Sequence, residues 1–451
     1  MKPDASQDQN SYKSIFRVLM KLTLPIVGGS FLQMTYNFTD MIWVGKLGSD
    51  AVAAVGTAGF FTHMAWAFSS LALVGTGVKI SHAVGRQDFT DARAFIKNGF
   101  LTTWVLGLIF MLFLILGSSP LIAFFKLNNT VVEGMAENYL IISALGILIS
   151  YTNYLFAAIF NAFGYTKIPF KTNMVGLGVN MVLDPLFIFV LKWGVEGAAI
   201  ATVIAQLVTV IIYWRRFLRE KDMKTFPGRV HLDRMWEVLR LGFPTAAQRV
   251  IFTFIAIMMA RIIAQWGATA IAVQKVGLQL ESVTFMTVGG LHQAITTFVG
   301  QKYGAKDWIQ LKKGYNVAVG IGVMVGFLVS LLFMLIPELL ISIFLKEADS
   351  IAMGAQYLRI IGLSQIFMCM EMVTGGAMNG LGKTHIPATL SVILTGARIP
   401  LALWLSAMPA LGLDGVWWSI SLSSIAKGLV SVVAFYYLIK SMKEFQLSPL
   451  K

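Results

Sequence analysis

The sequence predicts an all-α integral membrane protein, with twelve transmembrane helices in two six-helix bundles related by a pseudo-twofold axis along the membrane normal. Three observations carry this. Only 13% of the 451 residues are charged and 57% are hydrophobic, whereas a soluble domain carries about 25% charged residues. Apolar stretches of the ~20 residues that a bilayer requires recur along nearly the whole chain. The second half of the chain also repeats the first at a nearly constant offset.

The elements read in order as follows. After a polar tail over residues 1–14, apolar runs at 15–44, 51–76, 94–116, 136–163, 169–191 and 196–214 make a first lobe, residues 15–214. A basic linker spans 215–237. Runs at 238–265, 270–300, 314–336, 354–380, 386–408 and 414–439 then make a second lobe, residues 238–440, before a tail at 441–451. Several runs exceed what a bilayer needs, so they are expected to tilt, kink or emerge from it. No small-residue cleavage site follows a short apolar segment, so the first span is expected to be retained.

The loops orient the spans. The longest polar stretch carries Arg215, Arg216, Arg219, Lys221, Lys224, Arg229, Arg234 and Arg240. Lys79, Arg86, Arg93 and Lys97 follow the second span, and Lys302, Lys306, Lys312 and Lys313 follow the eighth. The opposite loops, around Asp50, Glu133, Glu196, Glu347 and Asp414, are poor in Lys and Arg. Positively charged loops stay in the cytoplasm, so both termini are placed there, which requires an even number of spans. This asymmetry accounts for the net charge of +14 without a nucleic-acid partner. The single cysteine, Cys369, excludes an internal disulfide and a cysteine-clustered metal site. The five histidines are scattered, and neither His-Glu-x-x-His nor Gly-x-Ser-x-Gly occurs, so no enzyme, metal centre or cofactor is predicted.

The repeat is specific. Leu24-Pro25 faces Phe243-Pro244 at a shift of 219, and His82 to Asp88 faces Gln301 to Asp307 at the same shift. Asn161-Ala162-Phe163-Gly164 faces Asn379-Gly380-Leu381-Gly382 at a shift of 218. Six spans per repeat is an even number, so both halves enter the membrane the same way round. Two such bundles about a cleft suit alternating access.

Ionisable residues at membrane depth are costly and mark functional sites by default. Asp40 lies in the first span with Tyr36 one turn earlier on the same face, and Asp184 lies in the fifth with Asn180 one turn earlier. Removal from water raises a carboxylate's proton affinity, and a second carboxylate in the same cavity raises it further. An acid of that kind can gain and lose a proton as access alternates. The structural alternatives are that Asp40 is wetted at the outer end of its span and that Asp184 only braces its helix. Pro25 removes a backbone hydrogen bond and is expected to kink the first span. The second half has its own charges, among them Arg249, Arg261, Lys275, Glu281, Glu371 and Arg398, at positions where the first half is uncharged. A Glu371–Arg398 pair is one reading of them, and a coupling role for Glu281 or Glu371 is another. Flexible methionines and flat aromatic faces suit a pocket for apolar or cationic ligands. Met34, Phe60, Met64, Phe156, Met174 and Met286 are the candidates for the cleft, with plain packing as the alternative.

Pro25, Asp40, Gly85, Asn161-Ala162-Phe163-Gly164 and Asn180-x-x-x-Asp184-Pro185 together resemble the multidrug and toxic compound extrusion (MATE) family, over nearly the whole chain, and more narrowly its branch named for DNA-damage-inducible protein F. The resemblance implies a two-lobed exporter of organic cations and other drugs, driven by protons or sodium. It implies that Asp40 and Asp184 form the cation site of the first lobe, with Tyr36, Tyr139, Asn180 and Thr202 as polar partners, and that Pro25 bends the first helix. Sodium-coupled relatives carry acids in spans seven and ten, where this chain has Phe252 and Met368, so the resemblance favours protons acting through the first lobe. The alternatives are sodium held by Asp40, Asn180, Asp184 and Thr202, and a flippase of lipid-linked or polar metabolites. A monomer in the bacterial cytoplasmic or inner membrane is expected, with the lipid bilayer and small organic cations as its partners.

Overall fold

The computed structural model describes residues 11–224 and 231–447, with side chains described as far as residue 442. Residues 1–10 of the predicted N-terminal tail, residues 225–230 of the linker (Arg229 among them) and residues 448–451 of the C-terminal tail lie outside the described residues. Every regular element among the described residues is helical.

The first half runs α1 (Tyr12–Gly45), α2 (Ser49–Gly85), α3 (Phe89–Leu116), the short α4 (Ser118–Ala123), α5 (Thr130–Leu145), α6 (Ile147–Ala162), α7 (Lys167–Pro185) and α8 (Gly194–Phe217). The second half runs α9 (Leu232–Ile263), α10 (Ala268–Gly304), α11 (Trp308–Leu335), the short α12 (Pro337–Ser342), α13 (Ala348–Gly362), α14 (Gln365–Gly380), α15 (His385–Gly396), α16 (Arg398–Ser406) and α17 (Leu413–Leu447). Among the described residues, nine helical segments are long and apolar enough to cross a membrane, α15 and α16 counting as one. Two bent pairs, α5 with α6 at 48° and α13 with α14 at 50°, bring the number to eleven. The remaining predicted span is α10, which has the length but not the apolar composition. Its polar residues line a cavity described below.

The repeat is written into the backbone. α2, α3 and α4 start 219 residues before α10, α11 and α12, and α6 and α7 start 218 before α14 and α15. Corresponding turns use corresponding left-handed residues, Gln87 with Lys306 and Gly164 with Gly382. The helix starts match as well. Asp88 caps α3 by accepting a bond from the Asp91 amide, and Asp307 caps α11 by accepting one from the Gln310 amide, both at 3.0 Å. The six-residue helices α4 and α12 were not predicted.

The chain divides into two units, residues 24–246 and residues 247–451 together with the chain before Leu24. The boundaries fall inside α1 beside Pro25 and inside α9 just beyond Pro244, so each of these helices has its first turns in one unit and the rest in the other. Both helices remain continuous through their prolines.

Within the N-terminal unit, one core packs Phe95, Phe100, Phe156, Phe160, Tyr213, Phe217 and Val238. A second packs α2 and α3 on α5 and α6 through Ala58, Phe110, Leu140 and Tyr151. Small residues bring backbones together where α2 meets the start of α9. A Cβ on Gly75 would lie 2.0 Å from the Val238 carbonyl oxygen, and one on Gly242 would lie 2.0 Å from that of Leu71. In the C-terminal unit, Val273, Phe333, Tyr357, Leu358 and Trp417 form one core and Ile255, Met259, Ala270, Ala402 and Val416 another.

Candidate functional site

Both acids of the first half sit among polar partners in the N-terminal unit. α7 carries Asp184 in its last turn because Pro185 follows it. Proline has no N–H for the preceding turn, and the helix continues from Leu186 to Val190 only as a wider π turn. Asp184 and Asn180 are fully buried, and the Asn180 Nδ2 donates to Asp184 Oδ1 at 2.9 Å, the one-turn spacing their numbers imply. α1 brings Asp40, half-buried, and Tyr36, whose hydroxyl donates to Thr202 Oγ1 on α8 at 2.9 Å. The charge of Asp40 reaches Asp184, and both acids act on Tyr36 and Tyr139. The six residues Asp40, Asp184, Asn180, Tyr36, Tyr139 and Thr202 therefore share one neighbourhood, drawn from α1, α5, α7 and α8. An apolar cluster around Val44, Val55, Ile188 and Val195 lies alongside, with Tyr139 packed against it.

This neighbourhood is short of hydrogen-bond donors. Asp40 Oδ1, Asp184 Oδ2 and Asn180 Oδ1 are each buried and accept no hydrogen bond among the described residues. An ionised carboxylate only accepts, and an unsatisfied buried acceptor is costly. A proton on a carboxylate would turn one acceptor into a donor, and a small cation would serve several acceptors at once.

The second half places chemistry elsewhere. The positions equivalent to Tyr36, Asp40, Asp184 and Thr202 are Ile255, Met259, Ala402 and Ile420, which belong to or pack on one apolar core. Its polar groups instead surround a cavity of about 650 Å³ lined wholly by residues 248–431. Glu281 accepts from the Tyr357 hydroxyl at 2.7 Å. Glu371 pairs with Lys427 at 3.0 Å and accepts from Ser391 at 2.5 Å. Arg398 donates to Ser423 at 2.6 Å and to Ser424 at 2.9 Å. The pairing of Glu371 with Arg398 read from the sequence is thereby corrected. Lys427, on the adjoining face of α17, reaches Glu371 first, and two serines occupy Arg398. Lys427 was missed, although it is a lone charge in an apolar run, the same signal that marked Asp40. At the equivalent positions in the first half Asn153 donates to Thr209 at 2.7 Å, so a neutral hydrogen bond there is an ion pair here.

Of the methionine and aromatic candidates, Phe156 is corrected outright. It is fully buried, stacked on Tyr213 and edge-on to Phe100 and Phe217, and its ring is consumed by packing. Phe60, Met64 and Met174 are exposed on the N-terminal unit, and Met34 is half-buried there. Met286 is half-buried, while its neighbour Phe285 lines the C-terminal cavity together with Phe252, Met259, Met368 and Met372.

Two repeats built from long apolar helices, each enclosing buried polar groups, fit a multi-pass membrane transporter. The sequence comparisons narrow the class. The model of the MatE family matches residues 25–186 and again 244–404, so the chain belongs to the MatE family, whose members are transporters and not enzymes. The two matches start 219 and end 218 residues apart, the offsets of the repeat. The chain is 29% identical over 414 residues to the "Probable multidrug resistance protein NorM" of Thermotoga maritima, covering 89% of this chain and 88% of that one. It is 28% identical over 426 residues to the multidrug resistance protein NorM of Burkholderia vietnamiensis, covering 91% and 90%. Its fold matches that of a MATE protein crystallised in the bent conformation, with a TM-score of 0.90, 22% identity and coverage of 98% and 99%. The fold of the Vibrio cholerae MATE transporter VcmN, in a mutant form, matches with a TM-score of 0.89 at 20% identity, covering 95% of this chain and 98% of that one.

Proposed function

We propose that the protein is a proton-coupled multidrug exporter that works by alternating access, with Asp40 and Asp184 carrying the coupling proton. One observation carries this reading: three buried oxygens, from Asp40, Asp184 and Asn180, lie in one neighbourhood without a donor among the described residues. Protonation supplies the missing donor and removes a buried negative charge, so the loaded and unloaded forms of the site favour different surroundings. Tyr36, Tyr139 and Thr202 position the acids. Multidrug substrates are suggested by the names of the NorM relatives. The apolar residues Met259 and Ala402 at the equivalents of the two acids favour coupling through the N-terminal unit alone. In sequence the two six-span lobes meet at the basic linker 215–237, while the compact units part inside α1 and α9; Pro25 serves as the hinge of α1, and the chain works as a monomer in the bacterial cytoplasmic membrane with both termini in the cytoplasm.

The test is efflux of a cationic dye from proteoliposomes. An imposed pH gradient in sodium-free buffer is expected to drive export, and a sodium gradient at equal pH is not. Export that needs the sodium gradient and ignores the pH gradient assigns the same oxygens to sodium and overturns the proton reading.

A further inference from the structure

The C-terminal cavity is not explained by proton coupling at Asp40 and Asp184. It is lined by Lys275, Glu281, His292, Glu371, Arg398 and Lys427 among apolar side chains that include Phe252, Leu278, Phe285, Met368 and Met372. These charges are not equivalent. Glu371 and Lys427 neutralise each other at 3.0 Å. His292 has both ring nitrogens engaged, with the Met372 carbonyl at 2.7 Å and the Asn379 amide at 3.4 Å. Lys275 is exposed.

That leaves Glu281 and Arg398. They carry opposite charges and line the same cavity, and the charge of each reaches the other, although Glu371 acts on Arg398 more strongly than Glu281 does. Yet among the described residues neither forms an ion pair. Each is instead held in place by neutral groups. The Tyr357 hydroxyl donates to Glu281, and Ser423 and Ser424 hold Arg398 by two of its five N–H groups. Keeping two buried opposite charges apart costs more than letting them pair, and Glu371 with Lys427 shows that the same cavity does hold a closed pair. A ligand that brings its own positive and negative groups would satisfy both at once.

We propose that this cavity is a binding site for an amphipathic zwitterion, with the ligand's ammonium at Glu281, its carboxylate or other planar anion on the free edge of the Arg398 guanidinium, and its apolar body against Phe252, Phe285 and the methionines. The volume of about 650 Å³ falls within the range for small-molecule sites. Arg398 supplies fork geometry suited to a carboxylate, and the methionines adapt to varied bodies. That the ligand is also exported cargo rests on the exporter reading above. The binding site itself does not, and binding is what the experiment reads.

The probe is Nε-dansyl-lysine, a fluorescent amino acid with an apolar aromatic end, compared with its methyl ester, which keeps only the ammonium, and its Nα-acetyl derivative, which keeps only the carboxylate. Binding to the purified full chain is followed by fluorescence anisotropy. The zwitterion is expected to bind about tenfold or more tighter than either single-charge form. Arg398→Gln removes its advantage over the ester and spares the ester itself. Glu281→Gln removes its advantage over the acetyl derivative and spares that derivative. This crossover cannot come from misfolding, which would weaken all three probes together. Asp40→Asn, expected to abolish proton-driven efflux, should leave zwitterion binding unchanged. Equal affinity for the three probes, or equal losses in both cavity variants, overturns the proposal. Loss of zwitterion binding in Asp40→Asn would move the probe to the N-terminal unit and overturn it as well, whereas failed proton-driven export with the crossover intact counts against the coupling reading alone.

Discussion

Replacing Lys427 with Met tests whether the buried ion pair in the C-terminal unit bears stability. The Lys427 and Glu371 side chains are 8% and 14% exposed and meet at 3.0 Å. Without Lys427, Glu371 would retain only the Ser391 hydroxyl at 2.5 Å as a contact and the more distant charge of Arg398. Removing one partner of a buried pair costs about 3–5 kcal/mol, because the remaining charge stays desolvated. For a unit of this size each kcal/mol moves the melting temperature by about 2–4 °C. Lys427→Met is therefore expected to lower the apparent Tm in detergent by roughly 6–20 °C in scanning fluorimetry. Adding Glu371→Gln removes the stranded charge while keeping an acceptor for Ser391, and should return most of the loss, since a buried pair replaced as a whole is nearly neutral. A single variant within about 2 °C of the parent, or a double variant melting no higher than the single, would refute the reasoning.

Three further outcomes are expected. Asp40→Asn should abolish uphill export and leave expression and Tm near the parent, since the amide keeps the shape and drops a costly charge; near-normal efflux would reduce Asp40 to a structural role. Asp184→Asn should shift the pH at which export is half-maximal, because the charge of Asp40 reaches Asp184, and an unshifted profile would make them independent. Gly75→Ala places a methyl 2.0 Å from the Val238 carbonyl oxygen, forces the backbone apart and should cost about 1–3 kcal/mol. Gly77→Ala, two residues away with nothing within 4 Å, should be neutral by the same melting assay.

Much of this architecture was visible in the residues. Two acids alone in apolar runs announced themselves, and the i, i+4 spacing of Asn180 and Asp184 fixed their contact because one helical turn does. The repeat offsets were legible because turn residues recur, Gly164 with Gly382 and Asp88 with Asp307. The bends at α5–α6 and α13–α14 were not, because hydropathy reads apolar length and is blind to direction, and the runs stay apolar through Gly146 and Ser364. α4 and α12, six residues each, are too short for a helical period to register. Which cation reaches Glu371 first depends on how α14, α16 and α17 pack, and no pattern in one sequence carries that. Phe156 shows the converse, since an aromatic residue in an apolar helix gives no sign of whether it faces a cavity or a core.

The shared ownership of α1 and α9 bears on how the chain is made. Residues 12–23 are synthesised early, yet they belong to the unit whose other members begin at Ala247. At about 5–20 residues per second, the ribosome needs roughly 10–45 s to deliver those partners. Residues 232–246 belong to the first unit, so that unit cannot close until the start of the second repeat has emerged. By its contacts neither repeat is complete on its own, although both follow the same pattern. Expressed alone from residue 247, the second repeat would lack the opening turns of α1, and the first repeat cut at the linker would lack those of α9. Supplying the two halves as separate chains, each with its own cut-off turns restored to the other, is a problem of assembly as well as of folding.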